Sequence, residues 1–180
     1  MTVITTERLT ISLMTLNDAD LLFELDQNPV VMKYINGGKK TTQQEIDEVF
    51  IPRLASYLNP AKDWGLWKVF LNDKQFAGWI LIRPMGFFTE SPEFKNIEIG
   101  WRFKQETWGK GVATESAIAV IKHIVSHQQD VKKFSAIADK HNSASINIMV
   151  KLGMTYQKTI VHPDVDGEVD VVLYSMDSTQ

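Results

Sequence analysis

Gly109-Lys110-Gly111 stands between a stretch that reads as a strand, Asn96 to Phe103, and one that reads as a helix, Val112 to Ser126. Glycine lets main-chain N–H groups come close to a ligand. The helix that follows aims the positive end of its dipole at the same point. Together these make an anion site suited to a pyrophosphate, to which Lys110 adds a cation. The spacing is not that of a P-loop, GxxxxGK[ST], nor of the dinucleotide fingerprint GxGxxG. A strand-to-helix turn that holds no ligand would use the same residues. A second group lies downstream, Asn142-Ser143-Ala144-Ser145 followed by Lys151-Leu152-Gly153-Met154. Asn142 suits a helix cap, and Ser145 falls in the first helical turn, where a solvated serine is ordinary. His123 and His127 are four apart on one helix, but with no third ligand and no glutamate between them zinc is not expected.

These groups need elements to hold them. Arg8 to Met14 alternates with Leu9, Ile11 and Leu13 on one face, which predicts a half-buried strand. Asn17-Asp18 offers a cap for a helix through Ala19, Leu22, Phe23 and Leu25 that ends near Asn28-Pro29. Thr41 or Thr42 caps a second helix, with Glu45 placed for a capping box, and Pro52 disturbs its continuation toward Leu58. Trp64 to Leu71 and Phe76 to Ile82 read as a hairpin around Asn72-Asp73-Lys74. Trp64, Trp67 and Trp79 are expected in the core or a pocket wall. Pro84 to Pro92 reads as an irregular loop whose Phe87 and Phe88 suggest a lid, a dimer contact or simple burial. Ala113, Ala117, Val120, Ile121 and Ile124 repeat at helical spacing. Phe134 to Ala138 is a short strand, and the helix after Asn142 ends at Gly153. Met154 to Val161 and Val169 to Met176 close the chain around a Pro163 to Gly167 turn. His162, beside that turn, is either a surface residue or part of an acceptor pocket. Interleaved helices and hairpins predict an α/β fold with a mixed, twisted sheet and helices on both faces.

Composition narrows the classes. The chain has 180 residues, 44% hydrophobic and 23% charged, enough for one domain over residues 1–180 with a real core. A net charge of -3 gives no support to a nucleic-acid partner. Cysteine is absent, which excludes disulfides, thiolate metal sites and a cysteine nucleophile. No apolar run is long enough to span a bilayer, and the first residues lack the layout of a signal peptide. A cytoplasmic protein without metal or membrane partner is expected.

In order and spacing, the two groups resemble the Gcn5-related N-acetyltransferases, and more closely the branch that acetylates ribosomal-protein N-termini. Glu98-Ile99-Gly100-Trp101-Arg102-Phe103 and Trp108-Gly109-Lys110-Gly111-Val112-Ala113-Thr114-Glu115-Ser116 are similar to that family's cofactor core. Asn142, Ser145 and Lys151-Leu152-Gly153-Met154 fit its downstream motif. Thr6-Glu7-Arg8-Leu9, Asn17-Asp18-Ala19-Asp20 and Pro29-Val30-Val31-Met32-Lys33-Tyr34-Ile35 fit its start. The resemblance runs from about Thr6 to Met176.

It implies a six- or seven-stranded mixed sheet splayed between its fourth and fifth strands, with the pantetheine arm of acetyl-CoA in the split. The backbone of Trp101, Arg102 and Phe103 would pair with that arm. Trp108, Gly109, Lys110, Gly111, Val112, Ala113 and Thr114 would form the pyrophosphate loop, and Asn142 would bond the pantetheine side. The family's first loop position is usually Arg or Gln; Trp108 replaces it, and main-chain donors survive that change. Many relatives carry a general-acid tyrosine where Met149 stands, which makes Ser145 the candidate acid. Glu98 is the candidate base, acting through a water. The implied reaction is direct attack of an amine on the thioester, with a base to take its proton and main-chain donors on the Trp101 strand for the oxyanion. An α-amino group, with a pKa of about 7.7–8.0 against about 10.4 for lysine, asks little of that base. The acceptor is a peptide N-terminus or a small amine, and the protein a monomer or homodimer. Competing readings are transfer from another acyl-CoA, such as succinyl-CoA, and a catalytically idle CoA-binding regulator.

Overall fold

The computed structural model describes residues 2–164 and 167–179, and side chains outside 162–168. Eight strands form one sheet in the order β1-β2-β3-β4-β5-β6-β8-β7. They are β1 (Val3–Thr5), β2 (Leu9–Leu13), β3 (Gly65–Leu71), β4 (Phe76–Met85), β5 (Glu93–Phe103), β6 (Lys133–Asp139), β7 (Thr155–Asp164) and β8 (Gly167–Asp177). All neighbours run antiparallel except β5 and β6, which are joined by the crossover helix α5 (Val112–His127). Eight strands replace the six or seven expected, and the split falls between the fifth and sixth. The reason is β1: three residues too short to alternate visibly, yet paired to β2 from Val3↔Ser12 to Thr5↔Thr10.

Two apolar layers cover the sheet. One unites Leu9, Ile11, Trp67, Ile80, Ile97, Ile99 and Phe103 with Val112, Ala117, Val120 and Ile124 of α5 and Met149 of α6 (Ser143–Lys151). The other packs Leu66, Phe76 and Leu81 against Leu22, Leu25, Val31, Ile46, Leu54 and Tyr57. These last come from α1 (Ala19–Leu25), α2 (Pro29–Asn36) and the run Gln43 to Tyr57. In that run α3 (Gln43–Glu45) opens on the Thr42–Glu45 capping box, as its residues predict. A π-turn over Ile46–Phe50 then leads into α4 (Ile51–Tyr57). Pro52 has no N–H to give the ladder, and the wider turn lets the chain pass it rather than stop. α2 lies outside the predicted elements, although Asn28 caps it by accepting from the Val30 N–H, Pro29 opens it and the left-handed Gly37 closes it. Trp64 precedes β3 in an isolated bridge to Asn59 instead of lying on the strand. Trp67 is fully buried.

β5 and β6 pair only from Asn96↔Lys133 through Ile97↔Phe134 to Glu98↔Ser135. The Ser135 hydroxyl donates to Asn96 Oδ1 at 2.8 Å and pins this closed end. Beyond Glu98 the two strands diverge, each still held by its outer neighbour, β4 up to Phe103 and β8 up to Asp139.

Candidate active site

The strand bordering the split is ordered from behind. The Lys104 N–H donates to the Ala77 carbonyl at 2.8 Å. Alternation along an antiparallel pair then turns the main-chain groups of Gly100 and Arg102 toward β4, and those of Ile99, Trp101 and Phe103 toward the open side. Trp108 obeys this geometry, since its indole N–H donates to the Phe103 carbonyl at 2.9 Å. Among the described residues, Trp101 therefore turns toward the split an N–H and a C=O that no strand pairs, and Arg102 does not. The Arg102 side chain has a different task. Its Nη1 lies 2.6 Å from Asp26 Oδ1, and Asp26 also accepts from the Thr41 hydroxyl at 2.8 Å, which ties α1 to β5.

The glycine loop lies just past the end of β5. Gly109 and Gly111 both have left-handed backbones, φ 70° and 76°, which is the reason glycine stands there. Gly111 is the N-cap of α5, and no side chain caps the helix. The first-turn donors of a 16-residue helix are thus available to an external acceptor. A Cβ at Gly109 would meet nothing within 4 Å. Lys110 is exposed. The loop is held from the far side by Arg8: its Nη1 donates to the Lys110 carbonyl at 3.1 Å, and its Nε and Nη2 grip Glu115 at 2.9 and 2.5 Å. Thr6 donates to the other Glu115 oxygen at 2.6 Å. Burial works to raise the Glu115 carboxyl, and the hydrogen bonds from Thr6 and Arg8 outweigh it, leaving the group below its ordinary value. An open cavity of about 840 Å³ runs along the outer flank of α5 from Gly111 and Thr114 to His123 and Ser126, bounded by β1 and Lys151. Neither Glu98 nor Ser145 lines it.

Across the split, Asn142 caps α6 by accepting from the Ser145 N–H at 3.1 Å. Its amide nitrogen donates to nothing among the described residues and stays available. The Trp101 indole N–H reaches over to the Ser145 hydroxyl oxygen, 3.2 Å away. That fixes Ser145 as an acceptor toward Trp101 and leaves its own O–H free to donate. Met149, one helical turn on, is wholly buried.

Glu98 lies on the opposite face of the sheet, 7% exposed, at the point where the split begins. Both its oxygens are taken by one guanidinium: Arg83 Nε is 2.7 Å from Oε2 and Nη2 3.1 Å from Oε1. A carboxylate has further lone pairs for one more donor. The structure thus brings Trp101 and Ser145 together, places the loop and Asn142 on the two banks of the split, and sets Glu98 apart at its closed end. Sequence reasoning did not single out Arg83 or the side-chain role of Arg8; both partnerships join residues far apart in the chain, and a charge in a strand has no periodicity to announce its partner. His162, weighed as a pocket residue, has its side chain outside the described residues. His123 packs edge-on to Trp67, and among the described residues no three potential ligands are grouped for a metal.

The chain belongs to the GNAT acetyltransferases: the family model described as "Acetyltransferase (GNAT) domain" matches residues 8–155. It is similar to the Bacillus subtilis (strain 168) protein YkkB, 31% identical over 171 residues, 88% of each chain. A solved GNAT-family acetyltransferase from Bacillus anthracis superposes with a TM-score of 0.77 at 25% identity, covering 99% of this chain and all of that one. RimL, a ribosomal L7/L12 α-N-protein acetyltransferase solved with coenzyme A, superposes at 0.74 with 16% identity and 98% of each chain covered, a likeness of fold. Among the described residues no helix is long and apolar enough to cross a membrane.

Proposed function

We propose that the protein transfers an acetyl group from acetyl-CoA to a primary amine, by direct attack while both substrates are bound, with a peptide N-terminus as the favoured kind of acceptor. The observation that carries this reading is the open split itself, with the unpaired main chain of Trp101 on one side and the uncapped glycine loop at its end.

The residues present suit the cosubstrate. Main-chain N–H groups from Gly109 to Thr114 would receive the pyrophosphate, with Lys110 adding charge. The open edge of β5 at Trp101 would pair with the amide-bearing pantetheine arm as an added strand does, and the free amide of Asn142 would donate to it from the other bank. Acetyl-CoA supplies an activated acyl group; the protein supplies alignment, which can account for much of the rate. The main-chain N–H of Trp101 would stabilise charge developing on the thioester oxygen. Ser145, its oxygen held by the Trp101 indole, donates its hydroxyl proton to the departing sulfur. Glu98 takes the ammonium proton through a water, with Arg83 holding the carboxylate still.

Thermal unfolding with acetyl-CoA, CoA and ATP tests the site. Both CoA species should stabilise the protein, by about 2.7 kcal/mol at a hundred times the dissociation constant, and ATP should not. The absence of any shift with saturating CoA would overturn the reading. CoA-thiol release on addition of an amine then separates a transferase from an idle CoA-binding module. Comparing acetyl-CoA with succinyl-CoA separates the acyl donors.

A further inference from the structure

On the face of the sheet occupied by Glu98, aromatic and charged side chains gather at the closed end of the split. Tyr57 lies edge-on to Phe87 and Phe88, with ring centroids 5.9 and 6.1 Å away. Arg83, already forked onto Glu98, has its guanidinium 5.2 Å from the centre of the Phe88 ring and 5.4 Å from that of Tyr57. A second guanidinium, that of Arg53, lies 3.7 Å from the centre of the same Phe88 ring. Two cations therefore share one ring, and the Glu98 carboxylate has both oxygens engaged by one of them, Arg83. Among the described residues no acid pairs with Arg53. Burial, and then the charge of Arg83, push its guanidinium below the ordinary arginine range.

A guanidinium is normally recruited where a planar, two-toothed anion is to be held. Arg53 is exposed, set beside another cation on a ring face and influenced by the Glu98 charge without pairing to it, so its guanidinium is open to an external anion. Packing on Phe88 accounts for its position but not for leaving a net positive charge on a chain whose overall charge is -3. Phe88 is 47% exposed, so the charge can be reached from solvent.

We infer that Arg53 recognises a carboxylate on the acceptor, so that the favoured substrate is an amine with an acid group close by: a free amino acid, or a peptide whose first residues include an aspartate or glutamate. The inference rests on the transfer reading above, because that reading brings the amine to Glu98. The Arg83–Glu98 pair then separates the two ends of the acceptor, the amine facing Glu98 and the acid facing Arg53. Phe88 supplies the apolar wall between them.

The test uses acetylated products as probes, so that it does not depend on turnover. Binding of N-acetylalanine against its amide, and of N-acetyl-Ala-Asp-amide against N-acetyl-Ala-Asn-amide, is measured by calorimetry with CoA present. In at least one pair the acid should bind ten times tighter or more, and Arg53→Gln should abolish the difference while Arg53→Lys keeps part of it. Whichever pair discriminates identifies the source of the carboxylate, main chain or side chain. Equal affinities within both pairs, no binding by any probe, or discrimination that survives Arg53→Gln would overturn the inference. Thiol release with the matching unacetylated amines is followed in parallel. Its failure with every amine would sink the transfer reading, while the binding arm would still decide the role of Arg53.

Discussion

Arg8 has two duties beside the glycine loop, and on the proposed reading both would bear on an incoming phosphate. It braces the Lys110 carbonyl and offsets the charge of Glu115, a carboxylate in the first turn of α5. Its ion pair is half exposed and adds little to stability. Arg8→Ala should therefore leave the melting temperature nearly unchanged while weakening CoA binding roughly tenfold, about 1.4 kcal/mol, and high salt should mask part of that loss. Calorimetry at two salt concentrations checks both points. Ser145→Ala should cost only a few-fold in kcat, because a thiol of pKa about 8.5 leaves readily near neutrality. Glu98→Gln, which removes the proposed base, should cost on the order of a hundredfold in kcat/KM; steady-state thiol-release assays compare the two. Tyr57 gives a pH prediction with a definite sign. Burial disfavours its phenolate and pushes the group from 10.0 to about 12. Its folded value lies above its unfolded one, so the neutral phenol contributes fully below pH 10, and that contribution is lost as pH rises from about 10 toward 12. The wild type should lose up to roughly 3 kcal/mol in this window relative to Tyr57→Phe, as read from denaturant unfolding at stepped pH. Such pairings lie beyond the reach of sequence. The Asn142 cap is three residues from the N–H that it accepts, and could be read directly, whereas Arg8 and Glu115 are 107 positions apart and meet only because β1 and β2 lie alongside α5.

At the scale of elements, the pairing of β4 and β5 leaves no room for a side chain at Gly78. A Cβ there would stand 2.3 Å from the Arg102 carbonyl and 2.6 Å from Phe103 Cα, on a backbone with φ 149°. Main chain cannot give way as a side chain can. Gly78→Ala should destabilise the fold by about 1–3 kcal/mol and, by moving the strand that borders the split, weaken CoA binding as well; thermal unfolding with and without CoA separates the two effects. The longer elements were legible because their patterns are local and redundant. α5 shows its buried face in Ala117, Val120, Ile121 and Ile124, and α6 its cap in Asn142. α2 carries Asn28, Pro29 and Gly37 as start and stop signals, but only eight residues between them, of which Val31 and Met32 alone are buried. The passage of the chain through Pro52 depends on the π-turn before it, a backbone adjustment that no single residue type marks. Of the two loop phenylalanines, Phe87 meets the expectation of burial, packing at the edge of the second apolar layer, whereas Phe88 stands exposed against the Arg53 guanidinium.

In the whole molecule, the sheet consists of two well-paired halves joined along the short stretch from Asn96 to Glu98. Past that stretch the main-chain groups of Trp101 lack a strand partner among the described residues. On the proposed reading the missing strand is the pantetheine arm, and the Trp101 amide should exchange its hydrogen rapidly in the free protein and slowly with CoA present, whereas the Arg102 amide, turned toward β4, should be protected in both. The same feature has a kinetic meaning. The edge of β5 and the glycine loop would touch parts of the molecule that acetyl-CoA and spent CoA have in common, and the acetyl group adds little to that grip. The product would then leave reluctantly and compete with fresh donor on nearly equal terms. An enzyme built around such a gap would run at a speed set by the ratio of charged to uncharged carrier rather than by the amount of either, and would act as a gauge of acyl supply.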